Sequence, residues 1–188
     1  MKNIQQLYLD MLQPSDALIA DIKKIDGDIL ILGAGGKMGP ALAKLTKQAI
    51  DRAGVNKKVM AASRFSEPGL QAELNEQGIE TYAVDLLEDD QLQQLPDATN
   101  VLYLAGQKFG TTGKEPFTWA MNAYLPGRVA QKYKESRIVV FSTGNVYPLS
   151  PVSLGGLSEE HPTGPVGEYA QSCLGRERIF QYSSSKYN

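Results

Sequence analysis

Asp28-Ile29-Leu30-Ile31-Leu32-Gly33-Ala34-Gly35-Gly36-Lys37-Met38-Gly39 is the stretch that decides the fold. Its first half is a short apolar run between Gly27 and Gly33 with no polar alternation, the pattern of a strand covered on both faces in a parallel sheet. Its second half opens a helix over 40–50, where Met38, Ala41, Leu42, Leu45 and Ala49 recur at three- and four-residue spacing until Ala53-Gly54 stops it. Between them, Gly33, Gly36 and Gly39 form G-x-x-G-x-x-G, and Gly33 with Gly35 forms G-x-G. A glycine loop after a strand and before a helix is the setting of a dinucleotide fingerprint. Glycine permits the tight turn and lets backbone amides approach a pyrophosphate, while the helix N-terminus offers unpaired N–H groups and a favourable dipole. Gly33, Gly36, Lys37, Met38 and Gly39 are therefore candidate cofactor-binding residues. The plainer alternative is a tight turn with no ligand. A P-loop is disfavoured, because Met38 rather than Ser or Thr follows Lys37.

The same alternation continues outward. Strands are expected over 58–62, 79–84, 101–104 and 137–141. Helices are expected over 70–77, ending at Gly78, and over 117–133, which Pro126 should kink or divide. A short polar helix or turn is expected at 88–95. A Gly/Pro-rich loop fills 144–167, and a last helix runs from about Gly167 to about Phe180. Strands separated by helix-length segments indicate βαβ units and a parallel sheet with helices on both faces; the expected fold is a Rossmann-like, doubly wound α/β domain with strand order 3-2-1-4-5. Residues 1–24 read as an amphipathic lead-in and 25–188 as one dinucleotide-binding domain. The sequence stops just after the last helix, so the C-terminal substrate region is expected to be short or absent.

Composition narrows the classes. With 42 % hydrophobic and 21 % charged residues among 188, the chain is globular rather than disordered. Nineteen basic residues against twenty-one acidic ones leave a net charge of -2, so no basic excess suits a phosphate backbone and no nucleic-acid partner is expected. No apolar run is long enough to span a bilayer, and no membrane partner is expected. One cysteine rules out an internal disulfide, which fits a reducing compartment; the expected location is cytoplasmic. One Cys and one His make a zinc site implausible, and no metal is expected.

Three further positions bear on a nucleotide. Ser63-Arg64 follows the second strand, where an acid would hold the ribose hydroxyls of NAD; an arginine suits the extra phosphate of NADP, so NADP is favoured over NAD. Asp85, before Leu86, can accept from an adenine amino group or cap the helix that follows. Ala105-Gly106 after the fourth strand lets backbone lie close to a nicotinamide ribose, or simply turns. Phe109, Phe117, Trp119 and Tyr147 either line a substrate pocket or pack. His161 and Cys173, twelve residues apart across a loop, do not define a nucleophilic pair; a buried helical cysteine is the better reading.

In this order, these features resemble the extended short-chain dehydrogenase/reductase family, in particular the NAD-dependent epimerases and dehydratases of nucleotide sugars. GAGGKMG (33–39) looks like the family's glycine motif, Asp85-Leu86 its adenine-contacting pair, and Leu104-Ala105-Gly106 the segment beside the cofactor. Asn122 matches the asparagine of the helix after strand four. FSTGNVYP (141–148) resembles the F-S-S-x-x-V-Y-G segment, which puts Thr143 at the catalytic Ser/Thr position. VGEYAQSC (166–173) resembles the start of the Y-x-x-x-K helix. The resemblance implies Tyr169 as general acid/base, Thr143 as the hydroxyl that orients substrate, and Cys173 at the position of the lysine that lowers the tyrosine pKa. It also implies a small-molecule substrate of nucleotide-sugar type and a homodimer. Cysteine cannot supply the cation. Lys132, Lys134, Arg128, Arg176 and Arg178 are the candidates to replace it, Arg176 lying about two helical turns beyond Tyr169. Oxidoreductase chemistry is accordingly expected to be impaired, the alternative being a non-catalytic nucleotide-binding or structural protein on the same fold.

Overall fold

The computed structural model describes residues 3–187. Its elements in chain order are α1 (Ile4–Met11), α2 (Asp16–Ile22), β1 (Ile29–Leu32), α3 (Gly39–Ala53), β2 (Val59–Ser63), α4 (Leu70–Glu76), β3 (Glu80–Ala83), α5 (Asp89–Gln94), β4 (Asn100–Tyr103), α6 (Glu115–Trp119), α7 (Leu125–Lys132), β5 (Arg137–Val140) and α8 (Gly167–Tyr187). The five strands form one sheet in the order β3-β2-β1-β4-β5. β1 runs parallel to β2 and β4, and β2 parallel to β3. This is the expected Rossmann-like, doubly wound architecture with its expected strand order. All four residues of β1 are buried, as a strand covered on both faces requires.

Contacts divide the chain into two compact units: the chain up to Leu104 with Glu135–Val139, and Ala105–Lys134 with the chain from Val140 on. The first is built on the sheet. Its core joins Ile29 and Ile31 of β1, Val59 and Ala61 of β2, Ala43, Ala49, Ile50 and Ala53 of α3, and Leu70 and Leu74 of α4. Ile22 of α2 belongs to the same cluster, with Leu18 and Ile19 packed against it. The lead-in is thus built into this unit through α2. Asn100 ties the base of β4 to the entry of β1, its side-chain N–H groups donating to the carbonyls of Asp26 at 2.8 Å and Asp28 at 3.1 Å.

The second unit packs α6, α7 and α8 around a widened turn. The expected break in the helix over 117–133 falls at Ala120–Tyr124, which is π-helical, with the Leu125 N–H donating to the Ala120 carbonyl. Pro126 cannot donate to the Asn122 carbonyl one turn back, and its ring crowds that oxygen; one wide turn relieves both. The last helix runs past the expected end near Phe180 to Tyr187. Nothing in Ser183–Ser185 breaks a helix: the Ser185 hydroxyl donates to the Tyr182 carbonyl at 2.8 Å, and the Tyr187 hydroxyl bonds Gln131 of α7 at 2.9 Å. Among the described residues, no helix is long and apolar enough to cross a membrane.

Candidate functional site

The glycine loop joins the first unit's central strand to its longest helix. Gly33 lies at φ +86°, left-handed backbone that favours glycine, and its N–H donates to the Ala62 carbonyl of β2 at 2.9 Å. A Cβ on Gly39 would stand 2.2 Å from the Ala34 carbonyl oxygen, and one on Gly35 would stand 2.5 Å from Ser63 Oγ. Gly33 and Gly39 are demanded by the backbone, whereas a Cβ at Gly35 would require the Ser63 side chain to turn away. Gly36 is not demanded, since a Cβ there would meet only the Gly33 oxygen at 3.4 Å. Gly36, Lys37 and Met38 are exposed, and no side chain caps the N-terminus of α3. Pro40 in its first turn brings no N–H that needs a partner. An exposed glycine that the chain's own packing does not require, beside an uncapped helix N-terminus, fits the close approach of an anionic group such as a dinucleotide phosphate.

Ser63-Arg64 ends β2 next to this loop. The Arg64 guanidinium is exposed and lies 4.0 Å from the Asp85 carboxylate, so the two candidate residues are neighbours. Asp85 does not cap α5. Its carboxylate accepts from the Leu87 N–H at 3.0 Å, ahead of the helix, and its own N–H donates to Gln91 Oε1 at 2.7 Å. Leu86 is buried.

The remaining candidates meet in the second unit, around Asn122. This side chain is fully buried and every polar group on it is used. Oδ1 accepts from the Gln107 N–H at 2.8 Å and from Arg176 at 3.1 Å; Nδ2 donates to the Gln107 carbonyl at 3.0 Å and to Ser172 Oγ at 3.0 Å. These four bonds hold the segment after Ala105-Gly106 against α8. Gly106 makes room for this cluster: a Cβ there would lie 2.8 Å from Arg176 Nη2 and 3.0 Å from Asn122 Oδ1. Gln107 and Ser172 are the members that sequence reasoning missed. Their link to Asn122 spans long stretches of chain and leaves no motif. Trp119 is partly exposed, and its indole N–H donates to the carboxylate of Glu168, next to Tyr169. Phe109 is largely exposed, and the His161 ring bonds Ser158 within its own loop.

Tyr169 and Cys173 share a face of α8, and Cys173 is fully buried. The Tyr169 phenol is raised above its ordinary range. Burial is the main cause; the Thr143 hydroxyl pulls it down, Cys173 pushes it up, and the Arg176 guanidinium pulls it down. The Cys173 thiol is raised as well, again chiefly by burial and against the pull of Arg176. The structure thus brings together Thr143, Tyr169, Cys173 and, from the sequence's list of substitute cations, Arg176.

A parallel five-stranded sheet with a glycine loop at the end of β1 defines a Rossmann-like protein of the NAD(P)-binding class. Residues 29–188 match the NAD dependent epimerase/dehydratase family, and the chain belongs to that family. No curated protein matches the chain significantly. Among solved structures, the UDP-glucuronic acid 4-epimerase of Bacillus cereus, determined with NAD, superposes with a TM-score of 0.67 at 20 % identity, over 85 % of this chain and 53 % of that one. The UDP-Glc/GlcNAc 4-epimerase of Campylobacter jejuni gives 0.70 at 16 % identity, over 86 % and 50 %. A short-chain dehydrogenase/reductase superfamily protein of Agrobacterium tumefaciens with bound NAD gives 0.62 at 21 % identity, over 82 % and 44 %. At these identities the likeness establishes the fold, and the chain spans about half the length of these relatives.

Proposed function

We propose that this chain is an NAD(P)-binding protein related to the nucleotide-sugar epimerases and dehydratases, with oxidoreductase chemistry weakened because Cys173 stands where the family has lysine. Gly36 carries the binding half of the proposal: it is exposed and not required by local packing, so a dinucleotide phosphate accounts for the glycine. Gly33, Gly39 and the amides through Lys37 and Met38 would hold the phosphates, and Asp85 the adenine. Several of the solved structures it resembles contain NAD, and UDP-glucuronic acid accompanies it in the B. cereus enzyme. Arg64, exposed at the end of β2, is the residue able to favour the extra phosphate of NADP.

When bound, such a cofactor supplies a hydride acceptor or donor. The chain's own part is the proton. Tyr169 Oη would take a proton from a substrate hydroxyl or return it, with Thr143 orienting that oxygen. A phenol held above its ordinary pKa, near 10, is almost wholly protonated at neutral pH and so a poor base. The family's remedy, a cation one turn along the helix, is a thiol here. A second reading, cofactor binding with no turnover, is favoured by the same raised phenol.

Titration with NADPH and NADH tests the proposal. Binding of either supports it, and absence of both leaves only a structural role for the fold. Tighter binding of NADPH, lost in Arg64→Ala, would support the phosphate role; indifference or a preference for NADH removes it. With a bound cofactor in hand, a screen of nucleotide sugars should find slow turnover or none, and Cys173→Lys should raise it. Rapid turnover by the wild type, unchanged by the lysine, overturns the impaired reading.

A further inference from the structure

Arg176 is a buried arginine in contact with the residue at the lysine position. It lies about two turns beyond Tyr169 on α8, buried to 6 % exposure. Nη1 donates to the Phe141 carbonyl at 2.9 Å, at the head of the segment that carries Thr143. Nη2 donates to Asn122 Oδ1 at 3.1 Å and contacts Cys173 Sγ at 3.5 Å. The backbone at Gly106 leaves the guanidinium its space. Burying a cation is costly, and the geometry that holds this one brings it onto the residue standing in the lysine position.

We propose that Arg176 is the positioning cation for Tyr169 in this chain, supplying from further along α8 the charge that Cys173 does not carry. This rests on the reading of Tyr169 as acid/base. The groups facing the pair are the Thr143 hydroxyl, the Cys173 thiol and Arg176, with Glu177 of α8 acting on Cys173 and bonded to Ser142. Burial pushes the thiol up, so at neutral pH no thiolate offsets the guanidinium charge. Arginine is effectively always charged and so stays cationic while a phenol titrates. Its effect is a partial offset, because burial still dominates at Tyr169.

The test is NMR titration of the full chain carrying 13Cζ-labelled tyrosine, with the Tyr169 resonance assigned by Tyr169→Phe. Arg176→Gln keeps a donor for the Phe141 carbonyl and removes the charge; Arg176→Met removes both. In either folded variant the Tyr169 midpoint should move to higher pH. Arg176→Lys should restore much of the wild-type midpoint, and Cys173→Lys should lower it below wild type. An unmoved midpoint in a folded Gln or Met variant overturns the proposal, as does a rise in Arg176→Lys as large as in Arg176→Gln. No cofactor or substrate enters this measurement. Failure to bind NADH or NADPH would sink the functional reading and leave this result standing on its own.

Discussion

Gly36 and Gly39 sit in one turn and answer to different demands. A methyl group on Gly39 would run into the Ala34 backbone, which cannot step aside, whereas one on Gly36 meets ordinary contact distance. Gly39→Ala should therefore cost about 1–3 kcal/mol of stability in urea denaturation. Gly36→Ala should leave stability within about 0.5 kcal/mol and weaken NAD(P)H binding. Equal loss of stability in both variants would mean that Gly36 too is structural. At Tyr169, the sign of the shift sets a pH dependence. A phenol raised above its usual range is protonated at pH 7, and the phenolate fraction grows about tenfold per pH unit until the pKa is reached. Any turnover that uses Tyr169 as base should climb with pH through neutrality, and Cys173→Lys should shift that climb to lower pH. A rate independent of pH between 6 and 9, measured on the wild type, would remove Tyr169 as the base.

At the scale of elements, the π turn at Ala120–Tyr124 places Asn122 where its amide can serve Gln107, Ser172 and Arg176 together. Asn122→Ala would leave the Gln107 backbone groups and the guanidinium short of buried partners. The expected loss is about 2 kcal/mol or more, read as a lower urea midpoint with an unchanged slope. A loss below about 0.5 kcal/mol would show that the network is dispensable. On the sheet, Lys58, just before β2, pairs with Glu80 at the start of β3 at 2.9 Å. Glu80 is lowered by this partner, so its contribution is present above the ordinary carboxylate pKa and fades as pH falls through the lower folded value. Lys58 is raised, so its contribution is intact below its unfolded pKa and is lost as pH rises through the raised one. The pair therefore supports β3 across the neutral range. Amide exchange in β3 should quicken in Lys58→Ala at pH 7, and much less so in 1 M salt.

For the whole molecule, α2 shows why the first 24 residues matter. Ile22 is buried in the cluster shared by α3 and the sheet, and Leu12 is buried too. Deleting 1–24 strips apolar cover from α3 and should cost about 3 kcal/mol or more, with a clear fall in Tm; an unchanged Tm would make the lead-in an appendage. Its place in the core was not legible, since an amphipathic pattern states that a face will be buried and not against what. Much else was legible. Apolar runs without alternation, glycines at strand ends and proline inside a helical pattern are local properties, and they were enough for the parallel sheet and the break near Pro126. The proposed roles of Tyr169, Thr143 and Cys173 come from motif spacing along one helix and one loop, which is available without the fold. The partners of Asn122 and the contact of Arg176 with Cys173 belonged to the tertiary structure alone. The contacts of Asn122 join residues far apart in the chain, and the charge that reaches Tyr169 depends on burial and direction, which no spacing encodes.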